Sequence, residues 1–139
     1  KLDQTSFKIL SVKNEDLMMN HYDNSSMIIR VWDKAKSMLF LGDCGSEESE
    51  RLLNGPFGNE LDCDYLQMAH HGQQGASKHF YRTVKFKACL WPSPSWVYNN
   101  DAGKGFNTHI LKTIEIRDLV DSLGIKENYV SYQGLYKIR

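Results

Sequence analysis

Apolar residues in this chain come in short runs, cut apart by Gly, Pro, Asn and Ser. Residues 7–12 (FKILSV) and 27–32 (MIIRVW) have the β-branched and aromatic character of strands. Residues 38–41 (MLFL) return after the polar turn Asp33-Lys34-Ala35-Lys36, which predicts an antiparallel hairpin over 27–41. Residues 65–69 and 88–91 are two further short strands, the second stopped by Pro92 and Pro94. Two closing strands are expected at 129–132 and 135–138, around Gln133-Gly134.

Helical spacing appears between them. Ser46 is placed to cap a helix over 47–53, with Glu47 and Glu48 in its first turn where the helix dipole favours them. Ser77 caps a short helix running to Val84. Thr108 is expected to cap the longest helix, 109–123, whose apolar stripe is Leu111, Ile114, Ile116, Leu119, Val120 and Leu123, with Gly124 as its stop. Residues 14–24 are polar and loop-like, 54–59 break the first helix, and 95–106 form a long aperiodic loop. Strands alternating with helices after a leading hairpin predict an α/β (α+β-like) fold, a mixed β-sheet with helices packed on at least one face. Residues 1–139 form a single domain.

Composition narrows the function classes. At 139 residues, 41% hydrophobic and 24% charged, the chain has the make-up of a globular protein, not a disordered or fibrous one. Lys plus Arg and Asp plus Glu are 17 each, so no overall basic footprint for nucleic acid exists. No run approaches the roughly 18 apolar residues of a membrane helix. Cys44, Cys63 and Cys89 form neither a CxxC pair nor an even framework, and read as free thiols of a reducing compartment. The cytoplasm is the expected location, with an extracytoplasmic address left open.

Three places carry candidate chemistry. Asp43 sits between a strand and a helix start, flanked by Gly42 and Gly45, where a carboxylate either caps the helix or bridges two cations. His70 and His71 end an apolar strand and precede Gly72, which lets the chain turn; they are either partly buried hydrogen-bonded histidines or metal ligands. His109 lies at the expected N-terminus of the long helix, as a surface residue or a ligand kept neutral by the dipole. His21, beside Asp23 and Asn24, and His79 read as loop and surface residues. Trp91, Trp96 and Tyr98 read as core and loop packing, since basic residues do not interleave them.

The order of these motifs is more specific than any one of them. An Asn-Ser pair (Asn24 and Ser26, in NxSMIIRV) precedes a hairpin that ends in Gly42-Asp43. The next strand ends in His70-His71-Gly72, and Asn107-Thr108-His109-Ile110 opens the late helix. Over residues 7–138 this resembles the C-terminal half of the metallo-β-lactamase superfamily, in particular the hydrolase-like domain of ComEC-type competence proteins. The resemblance implies the C-terminal half of an αββα sandwich. It puts Asp43 at the bridging metal-ligand aspartate, His70 and His71 at the His-His-Gly site, and His109 at the late active-site histidine, all four as catalytic and metal-binding residues. Asn24 falls where other branches carry a ligand histidine. Gln73 stands where Ser is usual, and the late motif lacks His-Pro-His-Pro character.

The main ligand motif of that superfamily, His-x-His-x-Asp-His, does not occur in this sequence. With the start at Lys1, this leads to the expectation of a C-terminal portion of a longer metal-dependent hydrolase. That hydrolase would cleave phosphodiester or related ester bonds by metal-activated water. A divalent cation, Zn or Mn, is expected in the full-length protein, with none or a partial complement in this chain. The expected partners are the missing N-terminal half, a phosphoester or nucleic-acid substrate, and a second copy joined through the sheet face left bare. The alternative is a non-catalytic interaction or scaffold domain that retains the fold.

Overall fold

The computed structural model describes residues 4–12 and 26–138. The whole 14–24 loop, with His21, Asp23 and Asn24, and Ser25 after it lie outside the described residues. Six strands form one mixed sheet in chain order. They are β1 (Ser6–Ser11), β2 (Ile28–Trp32), β3 (Ser37–Phe40), β4 (Tyr65–Gln67), β5 (Ala88–Trp91) and β6 (Glu127–Val130). The first two pairings are antiparallel and the last three parallel. The expected hairpin is β2–β3, with Asp33 Oδ1 accepting from the amides of Ala35 and Lys36 in the turn.

Each parallel step needs a crossover, and these supply the helices: α1 (Ser46–Asn54), α2 (Lys78–Thr83), and the pair α3 (Ser95–Tyr98) and α4 (Thr113–Ser122). Right-handed crossovers that step one way across a sheet put their helices on the same face. Accordingly α1 touches α2, and α2 touches α4. The core lies between that layer and the sheet: Leu39, Leu66, Cys89 and Val130 from the strands meet Leu52, Phe80, Tyr81, Ile116 and Val120.

Strand registry defines the other face. Phe7, Val31, Met38, Tyr65, Ala88 and Glu127 form one row across the sheet, and Ile9, Ile29, Phe40, Gln67, Leu90 and Tyr129 the next. All but Gln67 and Glu127 are apolar or aromatic. Among the described residues no helix covers these rows; Phe7 and Ile9 stand 54% and 47% exposed, whereas Ala88 is buried and Tyr129 packs against Tyr136.

Several boundaries differ from the sequence expectation. The long helix begins at Thr113, not at 109, and Thr108 does not cap it; its hydroxyl closes a loop by donating to Gly105 O and accepting from Ala102 N. Ser46 is the first helical residue and Gly45 the cap. Ser77 does cap α2, accepting from Phe80 N at 2.9 Å. The closing strand spans Glu127–Val130, followed by a single 3-10 turn at Ser131–Gln133, and residues 135–138 are not a strand. The expected loop at 95–106 opens with α3. No helix among the described residues is long and apolar enough to cross a membrane.

Asp64 ties three strands together. Its carboxylate takes Lys87 Nζ at 2.6 Å, ahead of β5, and the Ser37 amide at 2.8 Å, at the start of β3. The Lys87 ammonium, then the Ser37 amide, hold its carboxyl below the usual carboxylate range. A depressed folded pKa gives stability that is present above the unfolded value, about 3.9, and lost as pH falls through the folded one. Asp64→Asn is therefore expected to cost about 1 kcal/mol in urea denaturation at neutral pH. The gap between variant and wild type should close below about pH 3.

Candidate functional site

The loops that follow β3, β4 and β5 converge at the carboxyl edge of the parallel strands, the edge where α/β sheets place their chemistry. Gly42-Asp43 leaves β3. Gly42 takes a left-handed turn (φ 55°), and a Cβ there would press on Ser26 at 3.3 Å. The Asp43 amide donates to Ser26 Oγ at 3.0 Å. From the neighbouring strand, Gln67 Oε1 accepts from the amides of Leu41 and Gly42 at 2.9 and 2.8 Å. The turn carrying Asp43 is thus fixed by a side chain of β4 and another at the entry to β2.

The β4 exit places the histidine pair. Its strand ends at Gln67, two residues earlier than the sequence suggests, and His70 and His71 occupy consecutive left-handed conformations (φ 50° and 59°). Such conformations cost L-residues roughly 1–2 kcal/mol each and persist only where surroundings impose them. Here the surroundings are identifiable. The His70 amide donates to Gly42 O at 3.0 Å, the Ala69 amide to the buried Tyr81 hydroxyl at 3.2 Å, and Ser93 Oγ to His71 O. Gly72 (φ 83°) completes the turn against the ring of Trp91.

The rings are oriented by their Nδ1 atoms. His71 Nδ1 meets Pro92 O at 2.8 Å and His70 Nδ1 meets Gln74 O at 3.1 Å. A carbonyl only accepts, so both Nδ1 atoms carry the proton and each neutral ring has its lone pair on Nε2. His71 Nε2 lies 3.7 Å from Asp43 Oδ1, with both side chains close to half exposed. The two imidazoles are 6.2 Å apart between ring centres.

His109 is placed differently. It sits in the loop four residues before α4, so the helix dipole does not act on it as expected. Its amide donates to Asn100 O at 2.7 Å, and Asn100 Nδ2 donates back to His109 O at 2.7 Å. Asn100 Oδ1 also accepts from Leu111 N, and the Leu111 carbonyl accepts from the Gln74 amide, tying this loop to the histidine turn. The nearest aromatic neighbour of His109 is Trp96, at 6.1 Å between ring centres. The structure therefore joins Asp43 with His71 and sets His70 beside them. Among the described residues, no group of three His, Cys, Asp or Glu is close enough to hold a metal ion. Asp43 and His71 fit a metal chemically, but as a partial set, since catalytic zinc takes three protein ligands.

Cys44, next to Asp43, is fully buried. Burial, with Glu48 alongside, pushes its thiol well above the usual range, which rules it out as a thiolate nucleophile. Burial likewise raises the Glu48 carboxyl, which accepts from Ser11 Oγ at 2.9 Å and from the Ser26 amide at 3.3 Å. Cys63 and Cys89 are buried with thiols pushed up to about 12. All three are free packing residues.

Two framing residues, Gln67 and Asn100, escaped the sequence reading, and Ser26 was read only as part of the Asn-Ser motif, without its contact to the Asp43 amide. Only Asn100 left a local signal, an Asn in a Gly- and Asn-rich loop, the residue type that best tolerates the left-handed φ of 52° it adopts. No family model matches the chain, and none of the curated proteins matches it either.

Gly72→Ala tests the turn. Its Cβ would fall 2.4 Å from Trp91 Cε3, at a φ that L-residues rarely adopt. The expected loss is about 2–3 kcal/mol or more of unfolding free energy, followed by Trp fluorescence in denaturant. A loss under about 0.5 kcal/mol would show that the turn does not have this conformation.

Proposed function

We propose that this chain is the C-terminal half of a metal-dependent hydrolase of the metallo-β-lactamase type, acting on phosphodiesters or related esters. The observation that carries this reading is the approach of Asp43 Oδ1 and His71 Nε2 to 3.7 Å. It occurs at the carboxyl edge of adjacent parallel strands, with the imidazole oriented by Pro92 O. An imidazole fixed through Nδ1 by a carbonyl, with Nε2 turned to a carboxylate, is the arrangement of a ligating histidine with its outer hydrogen bond in place.

A divalent cation, Zn or Mn, supplies Lewis acidity there when bound and lowers the pKa of a water molecule. Asp43 contributes two oxygens, enough to reach two cations, and the Gln67 and Ser26 contacts fix where its backbone stands. His71 contributes the Nε2 lone pair, and His70 is braced beside it. The remaining ligands come from outside this chain in this reading. The exposed Phe7 and Ile9 on this face support that, since adjoining apolar side chains left open to water mark a surface for a further layer. A second half-sandwich packed on Phe7, Ile9, Val31, Met38 and Phe40 would complete both core and site.

The two-donor set favours one competing reading, a scaffold domain that keeps the fold and lacks the chemistry. The two separate in an assay of the chain joined to its N-terminal half. Metal-dependent hydrolysis of a generic phosphodiester should appear, and fall on the order of 100-fold in Asp43→Asn and His71→Ala. Absence of metal-dependent activity in the joined protein favours the scaffold. The isolated chain should purify with well under one zinc per molecule, by elemental analysis.

The bare face makes its own prediction. Alone, the chain should self-associate in size-exclusion chromatography with light scattering. A Phe7→Glu, Ile9→Lys double variant should shift it to monomer, and a wild-type monomer at about 0.1 mM would count against an adhesive face.

A further inference from the structure

We propose that the C-terminal segment 134–138 is an intramolecular cover on the helix-free face of the sheet, held there by Tyr136, and that it confines association between copies of this chain to the β1–β3 half of that face. The proposal does not depend on the hydrolase reading. It starts from an unevenness within one row of side chains. Phe7, at the β1 end, is about half exposed, whereas Ala88, in the same row, is 1% exposed. A single methyl group cannot bury itself, so larger neighbours close over it.

Those neighbours are rings. Tyr65 of β4 pairs directly with Ala88, and Tyr129 lies on β6, the strand on the other side of β5. Two strand spacings come to roughly 9–10 Å, yet the Tyr65 and Tyr129 ring centres are 6.4 Å apart. The rings therefore lean together over β5. Tyr136 packs edge-on against Tyr129, at 5.2 Å and 74°. Its hydroxyl donates to Gln133 Oε1 at 3.1 Å. Gly134, between them, has a φ of 136°, a backbone conformation open to glycine, and the chain reverses there.

The rest of the segment adds little to the hold. Leu135 is 100% exposed, and Tyr136 itself 41%. One ring contact and one hydrogen bond shield the rings over β4–β6, a hold that a docking layer can displace. No ring of this kind lies over Phe7 and Ile9 among the described residues. Adhesion follows exposed apolar area, so a second copy, the partner present when the chain is alone, meets the β1 end.

The test uses the Phe7→Glu, Ile9→Lys variant as background, because it removes the adhesive end. Adding Tyr136→Ala should lower the dimer dissociation constant in sedimentation equilibrium roughly tenfold, the factor that one aromatic pair supplies. Tyr136→Phe keeps the ring and should leave the constant unchanged. In the wild-type chain, a nuclear Overhauser effect should connect the Tyr129 and Tyr136 ring protons. The proposal is overturned by the absence of that effect, or by Tyr136→Ala leaving association unchanged in a variant with the parent's circular dichroism. A gain shared by Tyr136→Phe, or a Phe7→Glu, Ile9→Lys variant that associates as strongly as wild type, overturns it too.

Discussion

The parallel pairing of β3 with β4, locked at its end by the Gln67 side chain, is the constraint on which the rest of the site depends. Backbone pairing stops at Phe40 and Gln67, but the amide of Gln67 extends it to Leu41 and Gly42. It holds the Gly42 turn and leaves Asp43 at the edge. The His70 amide returns a bond to Gly42 O, so the two turns hold each other. Asp43 and His71 meet because their strands are neighbours in this register. A slip of one residue along β4 would turn Gln67 away from Gly42 and carry the histidines out of reach.

The second organising fact is asymmetry between the two faces of the sheet. One face is closed by α1, α2 and α4 over Leu39, Leu66, Cys89 and Val130. The other presents two apolar rows with no helix over them among the described residues, most exposed at Phe7 and Ile9. The proposed site has the same character, since two donors stand where a catalytic zinc would take three. On the half-sandwich proposal, one further layer would account for both.

The histidine turn and the separate His109 loop place their ring protons oppositely. The His70–His71 turn presents carbonyl acceptors to its rings, and the His109 loop presents an amide donor. Backbone geometry alone thus gives chemically identical side chains different capacities. The left-handed turn at His70 and His71 is the source of this arrangement, since an extended strand end would have sent the two rings to opposite faces.

Much of this was legible in the sequence. The hairpin, the short apolar strands and the Ser77 cap follow from local propensity and period-2 or period-3.6 patterning, which depend on neighbours in sequence. Asp43 and the histidine pair were also legible as candidates, because an apolar run ending in a polar, Gly-flanked residue has few other uses. Local signals failed where a distant partner decided the outcome. Thr108 looked like a helix cap, but its hydroxyl found Gly105 and Ala102, and the helix began at Thr113. Residues 135–138 had strand composition without a neighbouring strand to pair with. Nothing near Gln67, Ser26 or Asn100 in sequence announces that they hold Asp43 and His109, because their partners are separated from them along the chain. The sequence by itself determined the elements and the chemical candidates, since both are set by short-range sterics and residue chemistry. Only the tertiary structure decided which candidates meet and which nitrogen of the His71 ring carries its proton, because those depend on strand register and on the Pro92 carbonyl brought in from another loop.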